Sequence, residues 1–77
     1  MNEIIYEFEA FLSFTVDELN ATTPALPVDS KSRAFTARYT AKIKELATKN
    51  IGYTPQRLKI ELSRSITRYT GMLVFNR

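Results

Sequence analysis

The chain has 77 residues and a formal charge of +3, and it contains neither cysteine nor histidine. This length predicts one small domain of marginal stability over residues 1–77. Without cysteine and histidine, a disulfide framework and the usual zinc-ligand sets are excluded. A hydrophobic content of 44% indicates a folded core rather than a disordered chain.

The charge is divided between two halves of the sequence. Residues 1–29 form an acidic N-terminal segment that ends in a connector with Pro24 and Pro27, whereas residues 30–77 hold every Lys and Arg. The net charge is −6 over the first 30 residues and +9 over the rest. Such asymmetry indicates a nucleic acid, a membrane surface or an acidic protein as the partner.

Membrane insertion is not expected. No stretch approaches the roughly 20 apolar residues that a membrane span needs, and the N-terminus lacks the basic region of a signal peptide. A basic amphipathic helix lying on a membrane is a weaker alternative, because the cationic rows border faces that the core needs. We therefore expect a soluble, cytoplasmic protein.

The N-terminal segment fits two structural templates. Over residues 4–16 apolar residues alternate as in a strand, but the same segment also carries a stripe with the 3.6-residue period of a helix. A strand of 13 residues would be unusually long, and Thr15 to Glu18 has the pattern of a capping box at a helix start. We predict a helix over about residues 3–12 and a short helix over 16–21, with the strand as the alternative.

The C-terminal half predicts a long helix from Ser30 to Asn50, with Asp29 or Ser30 as its N-cap. It ends at Asn50-Ile51-Gly52, where Gly favours a helix stop. The apolar residues of this segment recur with helical spacing. They are Phe35, Tyr39, Ile43, Leu46 and Ala47.

A further long helix is predicted to start at Thr54-Pro55, since Thr caps free N–H groups and Pro suits the first helical position. Gly71 ends it, and Met72 to Phe75 forms an apolar docking tail or a short strand. Its predicted core stripe is Leu58, Leu62, Ile66 and Tyr69.

These elements predict an all-α domain of three or four helices, in which two long C-terminal helices are amphipathic and basic. The alternative is an α+β fold with an N-terminal strand followed by two helices. Basic residues repeat with a spacing of 7 and 4 on both long helices. The row on the first is Lys31, Arg38, Lys42 and Lys49, and the row on the second is Arg57, Arg64 and Arg68.

Two such rows can follow a phosphate backbone, and binding would gain from counterion release. Two structural explanations compete with this one. Lys and Arg flank apolar helix faces in many proteins, where the stems cover the core edge. The acids of the first half can also pair with the rows, in the same chain or in a dimer mate.

The segment Ser30-Lys31-Ser32-Arg33 places hydroxyls and long donors at a helix start, which loosely resembles the recognition helix of the helix-turn-helix class. The connector, Thr22 to Asp29, has eight residues where that class uses 3–4. The succession of helix, Ile51 to Pro55 and helix is also similar to ribbon-helix-helix repressors, in which a paired strand reads DNA. That resemblance implies a dimer with residues 4–16 as the strand, although a 14-residue gap from Asp17 to Ser30 follows this strand.

Enzymatic chemistry is not expected. The carboxylates closest in sequence do not face each other on a helix, and two glycines cannot form a phosphate-cradling loop. We expect no cofactor, no metal and no small-molecule substrate. Tyr53, in the turn between the two long helices, is a candidate for stacking on a base or on a partner side chain.

The sequence therefore predicts a homodimeric regulator that binds double-stranded DNA. The competing hypothesis is a protein-binding adaptor or inhibitor, of the size that phages and plasmids encode, that docks its basic face on an acidic or nucleic-acid-binding surface. The predicted contact residues are Lys31, Arg33, Arg38, Lys42, Lys49, Arg57, Arg64 and Arg68.

Overall fold

The computed structural model describes residues 2–22 and 28–74. They form four helices, α1 (Asn2–Thr22), α2 (Val28–Lys49), α3 (Pro55–Glu61) and α4 (Ser63–Thr70). All regular structure among these residues is helical, which confirms the all-α prediction and disfavours the N-terminal strand. Most of the predicted connector, residues 23–27, lies outside the described residues.

Helix α1 is one continuous helix, so the prediction of two shorter helices over residues 3–12 and 16–21 was wrong. Thr15 does not cap a second helix. Its hydroxyl donates a 2.8 Å hydrogen bond to the carbonyl oxygen of Phe11, one turn earlier, and its side chain is buried. A threonine that bonds back to the preceding turn satisfies its own hydroxyl within a helix. No Gly or Pro interrupts residues 2–22, and the helix therefore runs through.

Helix α2 confirms the long helix predicted from Ser30 to Asn50, but it begins earlier, at Val28. Asp29, predicted as a cap, instead lies in the first turn, where its negative charge suits the helix dipole. The stop is as predicted, because Gly52 has φ of 95°, a left-handed conformation that glycine adopts without strain.

The second long basic helix is interrupted, contrary to the prediction. Its start is as expected, since the Thr54 hydroxyl accepts a 3.1 Å hydrogen bond from the Arg57 N–H. At Leu62 the backbone leaves helical geometry (φ −96°, ψ 6°) and separates α3 from α4. The i to i−4 bonds from Leu62 to Leu58 and from Ile66 to Leu62 are retained, at 2.8 and 3.0 Å, so the break is a local distortion.

The bundle consists of three packed units, which are α1, α2 and the α3–α4 pair. The contacts between the helices show that α1 is antiparallel to α2 and runs in the same direction as α4. Among the residues that the structure describes, eleven buried apolar side chains fill the space between them. They are Ile4, Phe8, Leu12, Val16, Leu19, Phe35, Ile43, Leu46, Leu58, Leu62 and Leu73.

The segment after α4 docks on the bundle, as the apolar-tail prediction expected for its described part. Leu73 is buried, and Asn20 on α1 binds the backbone on both sides of it. The Asn20 amide donates to the Met72 carbonyl at 3.2 Å and accepts from the Val74 N–H at 2.9 Å. Phe75 lies outside the described residues. No helix in the described part of the chain is both long and apolar enough to cross a bilayer.

Candidate functional site

The basic row of α2 faces the acids of α1. Because the two helices are antiparallel, Glu18 meets Arg38, and Glu7 meets both Lys42 and Lys49 at 2.9 and 3.0 Å. Glu45, on α2 itself, adds a 2.7 Å contact to Lys42. Three of the four cations predicted to form this row are therefore paired within the chain.

The pairing changes the titration of the groups at its centre. Hydrogen bonds from the Lys42 and Lys49 ammonium groups hold the pKa of Glu7 below its ordinary value. The Lys42 ammonium likewise lowers the pKa of Glu45, and hydrogen bonds to Glu45 and Glu7 raise the pKa of Lys42. Each shift favours the charged form, as expected for neighbours of opposite sign. These charges are consequently stabilised by one another.

Lys31, the first cation of the predicted row, lies in the core, and the prediction that it faces a nucleic acid was wrong. Its side chain is only 1% exposed. The ammonium donates to the Val74 carbonyl and lies 3.5 Å from the Asn20 side-chain oxygen. Lys31 therefore joins α1, α2 and the C-terminal segment from inside the bundle.

Arg57, on α3, is exposed but held in place. Its guanidinium lies 4.8 Å from the centre of the Tyr53 ring and 3.8 Å from the Glu61 carboxylate. It also donates to the Gly52 carbonyl at 3.4 Å. Tyr53, predicted as an exposed stacking residue, is half-buried and already carries this guanidinium.

Arg33, Arg64 and Arg68 are exposed, and none forms an ion pair within residues 2–22 and 28–74. Arg68 lies 5.8 Å from the centre of the Tyr69 ring. Ile60 is 74% exposed, and the spacing of 3, 4 and 4 residues from Arg57 through Ile60 and Arg64 to Arg68 places the three arginines on its side of α3 and α4. We call this surface the arginine face; it comprises Arg57, Ile60, Arg64 and Arg68.

A groove between α2 and α3 was not predicted from the sequence. It encloses about 140 Å³, and Lys44 and Lys59 contribute to its lining. The other lining residues are Thr40, Ile43, Pro55 and Gln56. The two lysines are 15 positions apart and belong to neither row. The 7 and 4 spacing therefore did not predict that they lie close together.

The outer side of α1 was also missed. Tyr6 and Phe14 are 73% and 65% exposed, with the exposed Ala10 between them at intervals of four residues. That spacing places the three on one helix face, opposite the buried stripe. The apolar alternation over residues 4–16, which is the pattern of the alternative strand, includes Tyr6 and Phe14 together with residues that are buried in the helix, and it therefore gave no sign of this face.

Among the described residues, no group of His, Cys, Asp and Glu side chains is arranged to hold a metal ion. Comparisons of the chain with protein-family models, with curated protein sequences and with solved structures find no match.

Proposed function

We propose that this protein is a small, non-enzymatic binding module of the cytoplasm that docks its arginine face on an acidic surface of a larger protein. The observation that carries the proposal is the unequal state of the two basic rows. The α2 row is paired with α1 or buried, whereas Arg64 and Arg68 are exposed without an ion pair among the described residues.

The composition of the arginine face supports a protein partner. Arginine is enriched at protein interfaces, where its planar group forms paired hydrogen bonds with carboxylates. Stacking on Tyr53 restricts Arg57 before any partner arrives, and this lowers the entropy lost on binding. Ile60 supplies an exposed apolar side chain, and its burial would contribute to affinity for a protein.

Duplex DNA is the second candidate, supported by the exposure of Arg33, Arg64 and Arg68. However, the basic row of α2, which the sequence predicted to contact DNA, is not available for that role. Lys31 is buried, and the other three cations of the row contact carboxylates of α1. With three phosphate contacts, the logarithm of the binding constant would fall with the logarithm of the salt concentration with a slope of about −3, since each neutralised phosphate contributes about −0.9. Ile60 would not contribute to the binding of phosphates, because its side chain is apolar.

Matched variants separate the two candidates. Arg64→Ala with Arg68→Ala removes two cations from the arginine face, and Arg38→Ala with Lys49→Ala removes two from the paired row. Ile60→Ser removes the exposed apolar side chain without changing the charge. Each protein is used to capture partners from a nuclease-treated lysate of the source cells and is titrated with a duplex at low salt.

We expect the wild type to retain one stoichiometric protein. The Arg64/Arg68 and Ile60 variants should lose it, and the Arg38/Lys49 variant should keep it. Loss of capture after nuclease treatment, together with duplex binding that Ile60→Ser leaves unchanged, would instead establish the DNA candidate. Loss of both activities in the Arg38/Lys49 variant alone would contradict the choice of surface.

A further inference from the structure

Two surfaces outside the arginine face have complementary character. The outer face of α1 presents exposed aromatic rings with two exposed acids, Glu3 and Asp17. The groove between α2 and α3 has Ile43 and Pro55 in its lining, together with the lysines Lys44 and Lys59. Within the described residues, none of these four charged side chains forms an ion pair, unlike the acids and lysines at the α1–α2 contact.

We propose that the groove receives the outer face of α1 from a second copy of the chain, so that the protein associates head to tail. Charge complementarity selects this occupant, because the groove is cationic and the α1 face carries carboxylates one turn from each aromatic ring. This proposal concerns different residues from the arginine face and does not depend on the proposed partner.

Phe14 is the side chain that enters the groove. It is 65% exposed and wholly apolar, whereas the hydroxyl of Tyr6 is better left in water. Asp17 lies one turn after Phe14 on the same face, which brings its carboxylate to the lysines at the groove when the ring is inserted. The groove volume of about 140 Å³ suits one side chain rather than a whole helix.

The arrangement is heterologous, since the two contacting surfaces differ. No α1 residue lines the groove, and one molecule can therefore use both surfaces at once. Contacts of this kind continue from copy to copy unless the rotation closes a ring. The homodimer expected from the sequence is then the first step of a longer series.

Complementation between two blocked variants tests this arrangement. Phe14→Ser blocks the α1 face, and Lys44→Glu with Lys59→Glu blocks the groove. Tyr6→Ser, which removes a neighbouring aromatic from the same helix face, is the matched control. All positions are exposed, and circular dichroism confirms that each variant is folded before its mass is measured by sedimentation equilibrium.

For the wild type and Tyr6→Ser, we expect the average mass to rise with concentration past twice the 8.9 kDa of one chain, and to fall when salt is added. Each blocked variant alone should stay at 8.9 kDa. An equimolar mixture should reach twice that mass and stop, because only one intact pair of surfaces remains. A wild type that stays monomeric at millimolar concentration, or a mixture that shows no association, would overturn the proposal.

Discussion

The two sides of this bundle use cations in different ways. Where α1 meets α2, the lysines and arginines are held by carboxylates or buried, and they serve the fold. On α3 and α4 the arginines lie outside, two of them beside tyrosine rings. Both rows have the same 7 and 4 spacing in the sequence. Their difference comes from the neighbouring helix, which supplies acids to one row and leaves the other exposed.

The largest expected effect on the free energy of unfolding is at the core, which both sides of the bundle share. Leu12 is fully buried on α1, and Leu12→Ala should lower the free energy of unfolding by about 2–5 kcal/mol, through lost burial and a cavity. Ile60→Ala, on the arginine face, should change it by less than about 0.5 kcal/mol because that side chain is exposed. Urea denaturation measures both values. Equal effects would show that Ile60 is packed in solution.

The next effect concerns the two neighbouring cations of α2. Lys31→Met keeps the apolar stem but deprives the Val74 carbonyl and Asn20 of a donor, at a cost of about 1–3 kcal/mol. Arg33→Met, at an exposed position, should stay within about 0.5 kcal/mol of the wild type. Urea denaturation again provides the comparison. A neutral Lys31→Met would mean that the ammonium is not needed inside the bundle.

A smaller effect is expected at the start of α3, which positions the arginine face. Thr54→Ala removes the acceptor for the Arg57 N–H and should cost about 1 kcal/mol. Thr54→Ser keeps the hydroxyl and should recover most of that loss. Thermal unfolding followed by circular dichroism measures both variants. If serine fails to recover the stability, the threonine methyl rather than the cap is responsible.

The smallest effect is the pH dependence of the paired row. Because the pKa of Glu7 is lowered by folding, its ion pairs stabilise the protein above about pH 4.5, and this contribution is lost as the pH falls through the lowered pKa. Glu7→Gln should lose less stability on acidification, with a difference below about 1 kcal/mol at neutral pH since the Glu7 side chain is 41% exposed and its charge is screened by solvent. Thermal midpoints between neutral and acid pH give the comparison with Glu3→Gln as control. Parallel curves for the wild type and Glu7→Gln would show that the ion pairs of Glu7 do not contribute to the pH dependence of stability.

The sequence was sufficient for the elements whose signals are local. The start of α3 follows from Thr54 and Pro55, and the end of α2 follows from Gly52, because caps and stops depend on a few neighbouring residues. The continuity of α1 was missed since Thr15 suits either a cap or a bond to the preceding turn. Only the packing of Thr15 in the core distinguishes the two.

The state of each cation could not be predicted, for a different reason. Helical spacing places Lys31, Arg38 and Lys42 beside the apolar stripe, but it does not say which helix lies against them. Glu7 and Glu18 meet the row because α1 runs antiparallel to α2, and Lys31 is buried because the C-terminal segment folds over it. These are contacts between residues distant in sequence.

The five lysines of the chain allow the most direct test of the difference between occupied and exposed cations. Some of them are buried or paired with carboxylates, and others are exposed. Acylation of the folded protein with an amine reagent, followed by mass spectrometry, gives a rate for each lysine. At a concentration at which the protein is monomeric, Lys44 and Lys59 should react fastest, Lys49 more slowly, Lys42 slower still because its pKa is raised and its side chain is 14% exposed, and buried Lys31 last. Reaction of Lys31 and Lys42 at the rates of Lys44 and Lys59 would contradict the division between occupied and exposed cations.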